Sequence, residues 1–381
     1  MTLQSRTSHR LISHRRGGHA IIDGVDMIML GSNDYLSLSL DERVISATRD
    51  ALEVYGTGVG IYPVLATTEL HVELCEALAR YLGTEAAAVF SSGGTANTGV
   101  LTTLAQEGDV IISDRLNHAS IIDGCRLSKA DVVSYENRSV ERLREALDNA
   151  GEKRRKLVIT DGIFSMEGGA APLQEIYRLT REYDALLVVD EAHATAVVGP
   201  QGMGTAPLCG LSNASPGLIL TGSLSKALGG ASGGFVAGSY DSIEELKSRS
   251  RSWIFTMGMT TANAATALEA VRIVSSDKDP LGQLWHNVEY LREAFKFYGL
   301  SFYESDSAIT GLRVGDEDRA CELAANLRAH GIFAPAISYP IVARGESRLR
   351  IQVSAGHTTS DIDKAASTLG ELMNQYDRID I

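Results

Sequence analysis

Residues 218–238, LILTGSLSKALGGASGGFVAG, place one lysine in a loop of small residues between two apolar runs. Leu218 to Leu220 reads as a buried strand that stops at Thr221 and Gly222. Lys226 follows among Ser223, Ser225, Ala227, Gly229 and Gly230, and Gly233 and Gly234 lead into a second run, Phe235 to Ala237. Small residues let a flat, bulky group approach the backbone closely, and hydroxyls with backbone amides can hold an anion. A lysine so placed suits a covalent bond to a flat, phosphorylated aldehyde. Taken alone, these residues also fit a solvated loop lysine, so the surrounding chain decides.

Outward from this stretch the pattern alternates. Short apolar runs recur at 86–90, 110–112, 157–160 and 186–190, with helical patterns between several of them, as at 140–149 and 173–183. Continuous apolar strands separated by helices predict an α/β fold with a mostly parallel sheet covered on both faces. Upstream, 21–30 reads as a hairpin around Asp23-Gly24. Helices are expected over 41–55, ended by the glycines of 56–60, and over 69–82, where Leu70, Leu74, Leu78 and Leu82 share a face. Downstream, a helix over 260–275 leads out of the sheet region. Helices near 281–298, 319–330 and 361–376 then alternate with strands near 309–314 and 348–353. Thr358 followed by Asp361 is a capping-box signal for the last helix. Residues 1–19 are polar, carry Arg6, Arg10, Arg15 and Arg16, and are expected to form a loose arm or short helix.

A chain of 381 residues buries a large core and is expected to divide. The expected parts are an arm and hairpin over 1–40 that joins the small domain, a large cofactor-binding domain over 41–275, and a small domain over 276–381. The formal charge of −13 argues against nucleic acid, so an anion site must be built locally from arginine and backbone amides. Cys75, Cys125, Cys209 and Cys321 form no CxxC pair, so neither a metal site nor a disulfide framework is expected. No apolar run reaches membrane-spanning length, and the N-terminus lacks the apolar core of a secretory signal. A cytoplasmic protein is expected.

Four further stretches carry candidate chemistry. SSGGTAN, 91–97, follows a core strand and opens a helix, whose N-terminal amides can hold a phosphate. VVDEAH, 188–193, ends a buried strand with Asp190 and then His193, at the edge where parallel sheets bind ligands. An aspartate there can pair with a protonated ring nitrogen. RLNHAS, 115–120, puts His118 just past another strand end, where an imidazole can stack on a flat ring and move protons. In RLR, 348–350, both arginines lie on one strand face, and a guanidinium there can grip a carboxylate through two hydrogen bonds.

Taken in order, these blocks resemble the α-oxoamine synthase family of fold-type I pyridoxal phosphate enzymes. SNDYLSLS (32–39), DRLNHASIIDGCRLSKA (114–130), ITDGIFSMEG (159–168), VVDEAHATAVVG (188–199), TGSLSKALGGASGGF (221–235) and SRLRIQVSAGHT (347–358) are each similar to a family block. They are similar to the glycine C-acetyltransferase and 8-amino-7-oxononanoate synthase branches, and several are most similar to glycine C-acetyltransferase. The resemblance implies a large domain with a mostly parallel seven-stranded sheet flanked by helices, plus a smaller α+β C-terminal domain. It implies Lys226 as the Schiff-base lysine, Asp190 at the pyridine nitrogen, His193 at the phenolic oxygen and His118 stacked on the ring. Ser165 would be a polar contact, and the amides of Gly93 and Gly94 with Ser223 would hold the phosphate. Thr256 would reach that phosphate from a partner subunit, which implies a homodimer with shared sites. Arg350, with Asn33 and His118, would bind substrate.

The implied reaction joins a small amino acid (glycine, alanine or serine) to an acyl thioester of CoA or a carrier protein. Loss of CO₂ usually follows, to give an α-aminoketone. Condensation without net decarboxylation, as in glycine C-acetyltransferase, stays open, as do an aminotransferase or lyase on the same fold and a catalytically silent protein. The chain departs from the family at VGIYPVLATTELH, 59–71, which lacks an arginine and places Leu65-Ala66 before Thr67. It departs again at Ser338, Tyr339 and Ile341, and at Ala194 and Ala196. These departures concern acyl recognition rather than the cofactor.

Overall fold

The computed structural model describes residues 9–379. Its central sheet has seven strands, in the order Ala86–Phe90, Gly234–Gly238, Leu218–Ser223, Ala185–Asp190, Lys156–Asp161, Val110–Asp114 and Asp131–Tyr135. The last five run parallel, and Gly234–Gly238 runs antiparallel to both of its neighbours. Side chains of successive strand residues go to opposite faces. Val110, Ile112, Val158, Leu187 and Val189 join one core, while Ile111, Leu157, Ile159 and Val188 join the other. Each such side chain contributes roughly 1.5–3 kcal/mol of burial, which is why these runs lack the polar alternation of a half-exposed strand.

Six of the seven strands coincide with the apolar runs of the sequence. The seventh, Asp131–Tyr135, is an edge strand with four of its five residues exposed, so Asp131 and Ser134 interrupt any apolar run. Register aligns the strand ends: Asp161 lies beside Asp190, and Asp190 beside Thr221. Ser223 lies beside Gly234, which lies beside Phe90. The start of the SSGGTAN segment thereby meets the end of the strand that precedes Lys226. A side chain at Gly234 would run into the Ser92 carbonyl, so only glycine fits that contact.

Helices Glu42–Tyr55, Glu69–Leu82 and Thr261–Ser276 form near the expected places. Asp41 caps the first by accepting from Arg43 N–H at 2.8 Å, a contact worth about 1 kcal/mol. The last helix, Thr359–Ile379, opens with the expected reciprocal cap: Asp361 N–H donates to Thr358 Oγ1, and Thr358 N–H to Asp361 Oδ2.

Two smaller sheets flank the large one. Ile309–Gly315, Ser347–Gln352 and Ala336–Ile337 form a three-stranded sheet. Ile12–Arg16, His19–Ile22, Val25–Met29 and Ile332–Phe333 form a four-stranded one. The expected hairpin turn is present, with Asp23 at φ 51° and Gly24 at φ 82°, the left-handed pair of a two-residue hairpin loop. The expected loose arm needs correction. Residues 1–8 lie outside the described ones, but from Ile12 the chain is a paired strand rather than an arm or helix. Its side chains carry charge instead of alternating: Arg15 pairs with Asp34 at 3.0 Å and Arg16 with Asp26. An exposed edge strand of this kind has no apolar period to read.

Candidate active site

The aligned strand ends enclose a cavity of about 290 Å³. Eight of the expected site residues line it: Gly93, Gly94, His118, Ser165, Asp190, His193, Ser223 and Lys226. They come from five separate stretches of chain, brought together by the parallel register.

Asp190 ends its strand with both oxygens held. Oδ1 accepts from Ala192 N–H at 2.9 Å and Oδ2 from Asn97 Nδ2 at 2.7 Å. Thr221 Oγ1 is 2.6 Å from Asn97 Oδ1, which fixes the amide so that its nitrogen faces Asp190. Asp161, on the next strand, also lines the cavity; burial first, and then the Asp190 carboxylate, push its pKa well above the ordinary range. Lys226 has a lowered pKa because burial disfavours its charged form, while Asp190 and Asp161 pull the other way. A lysine so poised suits both imine formation and proton transfer.

The anion end is built from the Gly93–Leu104 helix, capped by Ser92 accepting from Thr95 N–H at 3.1 Å. Its first amides lack intrahelical partners, as at any helix start. A Cβ on Gly93 would lie 3.1 Å from Ser223 Cβ, so the glycine keeps this cradle open. Ser223 Oγ and Ser225 Oγ are 2.7 Å apart beside it. His118 caps the Ala119–Leu127 helix, accepting from Ser120 N–H at Nδ1, and its backbone N–H donates to Asp161 Oδ1 at 3.3 Å. His193 is buried, and its pKa lies well below the ordinary value, first through burial and then through Lys226, Arg350 and His118.

Arg350 and Asn33 do not line the cavity but adjoin it. Arg350 Nε donates to the Ser165 carbonyl at 2.6 Å, and Asn33 Oδ1 lies 3.4 Å from Arg350 Nη1. The other strand arginine, Arg348, bonds Glu167 at 3.0 Å, so both arginines hold the 165–167 segment. Thr256 stands apart from the cavity, its hydroxyl donating to the Ser252 carbonyl at 2.8 Å. Its neighbours Phe255 and Met257 are 65% and 54% exposed. A second, mostly apolar cavity of about 440 Å³ lies along strand Ala86–Phe90, beneath Val59, Ile61 and Pro63, and shares no lining residue with the first.

Sequence reasoning gave no role to Asn97, Asp161, Tyr35 or Gln352. The available signal was polarity inside apolar or small-residue blocks, since all four are buried. A carboxylate for a ring nitrogen, open amides with hydroxyls for a phosphate, and a lysine between them fit pyridoxal phosphate. No group of three or more His, Cys, Asp or Glu suited to a metal occurs among the described residues.

The chain is similar to known proteins along most of its length. The family model for aminotransferase class I and II matches residues 25–369. The 8-amino-7-oxononanoate synthase of Thermoanaerobacter pseudethanolicus is 41% identical over 363 residues, covering 94% of this chain and 91% of the relative. That of Symbiobacterium thermophilum is 40% identical over 355 residues, covering 93% and 90%. Among solved structures, a serine palmitoyltransferase from S. paucimobilis with bound PLP and myriocin superposes with a TM-score of 0.92 at 31% identity, covering 98% of this chain and 95% of that one. The chain belongs to the class I and II aminotransferase family, and within it to the pyridoxal phosphate-dependent α-oxoamine synthases.

Proposed function

We propose that this chain joins alanine to a seven-carbon diacid thioester, with loss of CO₂, as the name of its relatives at about 40% identity suggests. In 8-amino-7-oxononanoate, the amine-bearing carbon and its methyl are alanine without its carboxylate. The ketone and the remaining carbons are the acyl group. The observation that carries this reading is the convergence of Lys226, Asp190 and the Gly93–Gly94 cradle on one cavity, with Arg350 at its margin.

Bound pyridoxal phosphate supplies an electron sink for negative charge on the carbon beside the substrate amine. Asp190 keeps the ring nitrogen protonated, its carboxylate held ready by Asn97 and Ala192. Arg350 grips the amino-acid carboxylate, with Asn33 beside it. Lys226 Nζ takes the α-proton, and its lowered pKa supports that role. His118, which lines the same cavity, would hold the ring by stacking and would polarise the thioester oxygen. Gly93 and Gly94 amides with Ser223 hold the phosphate.

A homodimer belongs to this reading. Thr256 sits on an outward face between exposed Phe255 and Met257, where it suits a contact to a second copy's phosphate. The division at residues 40 and 275 and a cytoplasmic location are also proposed; among the described residues no helix is long and apolar enough to cross a membrane. A screen of amino acids against acyl-CoAs of increasing length, scored by thiol release with mass spectrometry of the products, tests the reading. Alanine-dependent thiol release with a diacid thioester is expected. Amino exchange with keto acids and no thiol release would overturn it in favour of an aminotransferase.

A further inference from the structure

Behind His193, four side chains form a run of hydrogen bonds whose direction is fixed from one end. Arg350 offers only N–H groups, so Gln352 Oε1, 2.6 Å from Arg350 Nη1, is the acceptor. That orients the Gln352 amide and leaves Nε2 as a donor, to Asn33 Oδ1 at 2.7 Å and to Tyr35 Oη at 3.0 Å. The Tyr35 oxygen thus accepts a hydrogen bond from the Gln352 N–H, and its own O–H donates to His193 Nδ1, 2.8 Å away. An imidazole accepting at Nδ1 carries its hydrogen on Nε2. Tyr35 and Gln352 are fully buried, so no water competes for these contacts. Burial also raises the pKa of Tyr35 and lowers that of His193, which keeps a neutral phenol facing a neutral imidazole.

We propose that Tyr35 and Gln352 are positioning residues that set the tautomer of His193, so that its Nε2–H is the group presented to the cofactor's phenolic oxygen. This rests on the assignment of Lys226 as the cofactor lysine and of His193 to that oxygen. Because Arg350 anchors the run and also adjoins the carboxylate site, the run connects the amino-acid end of the site to the cofactor. A donor at the phenolic oxygen withdraws negative charge that otherwise holds the proton of the Lys226–cofactor linkage. It therefore lowers the pKa of that linkage.

The test is a spectrophotometric pH titration of the holoenzyme's visible band in the parent, Tyr35→Phe and Gln352→Glu. Tyr35→Phe keeps the buried ring and removes the donor without adding charge. Gln352→Glu keeps the shape but can only accept, so Tyr35 turns its proton to the new carboxylate and His193 must donate from Nδ1, leaving Nε2 bare. The midpoint is expected to rise by about 0.4 to 1 pH unit in Tyr35→Phe, the size of one neutral hydrogen bond, and at least as far in Gln352→Glu. A Tyr35→Phe midpoint equal to the parent's, with the band intact, overturns the inference and leaves the Lys226 assignment standing. A rise in Tyr35→Phe without one in Gln352→Glu removes Gln352 from it. A parent that forms no visible band on reconstitution overturns the Lys226 assignment and this inference together.

Discussion

Asn97 Nδ2 donates to Asp190 Oδ2 across 2.7 Å in the protein interior. The two residues are far apart in sequence, on the helix that opens the phosphate cradle and at the end of a sheet strand. The contact ties the two ends of the proposed cofactor together: the element that binds the phosphate also orients the carboxylate meant for the ring nitrogen. Asn97→Ala should leave Asp190 with one fewer donor and lower kcat by about 10- to 100-fold, the worth of a hydrogen bond to a charged group. Steady-state kinetics on the folded, cofactor-loaded variant measures it; unchanged kcat would place Asn97 outside the machinery.

Arg350→Lys keeps the charge but loses the planar fork that holds the Ser165 carbonyl and approaches Asn33. The KM for the amino acid should rise by about tenfold or more, while the KM for the acyl thioester stays within about twofold. An equal rise in both constants would mean that the arginine acts on the fold rather than on the carboxylate.

Glu191 is fully buried, accepting from Thr205 N–H at 2.9 Å and from Thr205 Oγ1 at 3.0 Å. Burial pushes its pKa from the ordinary 4.5 up to about 7. Between these values the folded chain holds a proton that the unfolded chain has released, so this stabilisation is present below the lower value and fades as pH rises through the upper one. Relative to Glu191→Gln, the parent should lose up to about 3 kcal/mol of unfolding free energy between about pH 5 and pH 8. Denaturant titrations at both pH values measure this; a difference that does not change with pH contradicts it.

Met257→Asp places a charge on the exposed face beside Thr256 and should favour the monomer in sedimentation. Thr256→Ala should leave the mass unchanged and weaken cofactor retention by about tenfold, one hydrogen bond to a charged group. Tight cofactor binding by a monomeric variant would remove Thr256 from the shared site.

Much of this site was legible because strand ends in a parallel sheet carry short motifs. Lys226, Asp190 and His193 each follow an apolar run, and the parallel register carries all of them to one edge. Helix 42–55 was readable from the glycines that end it, and helix 69–82 from its leucine spacing. Edge strands Ile12–Arg16 and Asp131–Tyr135 were not, because a strand with little buried surface needs no apolar period. Asn97, Tyr35 and Gln352 were also hidden. Each acts through a contact more than ninety residues away in sequence (Asn97 with Asp190, Tyr35 with His193 and with Gln352), and local spacing does not encode such pairings. Thr256 was named only through the family resemblance, and a single chain sets it apart from the cavity, between exposed Phe255 and Met257.

Reduction of the cofactor-loaded protein with borohydride, followed by peptide mass mapping, tests the role of Lys226 most directly. The account predicts a pyridoxyl group fixed to the peptide containing Lys226 and to no other lysine. The same group on a different lysine, or bound cofactor that leaves Lys226 unmodified after reduction, would contradict it.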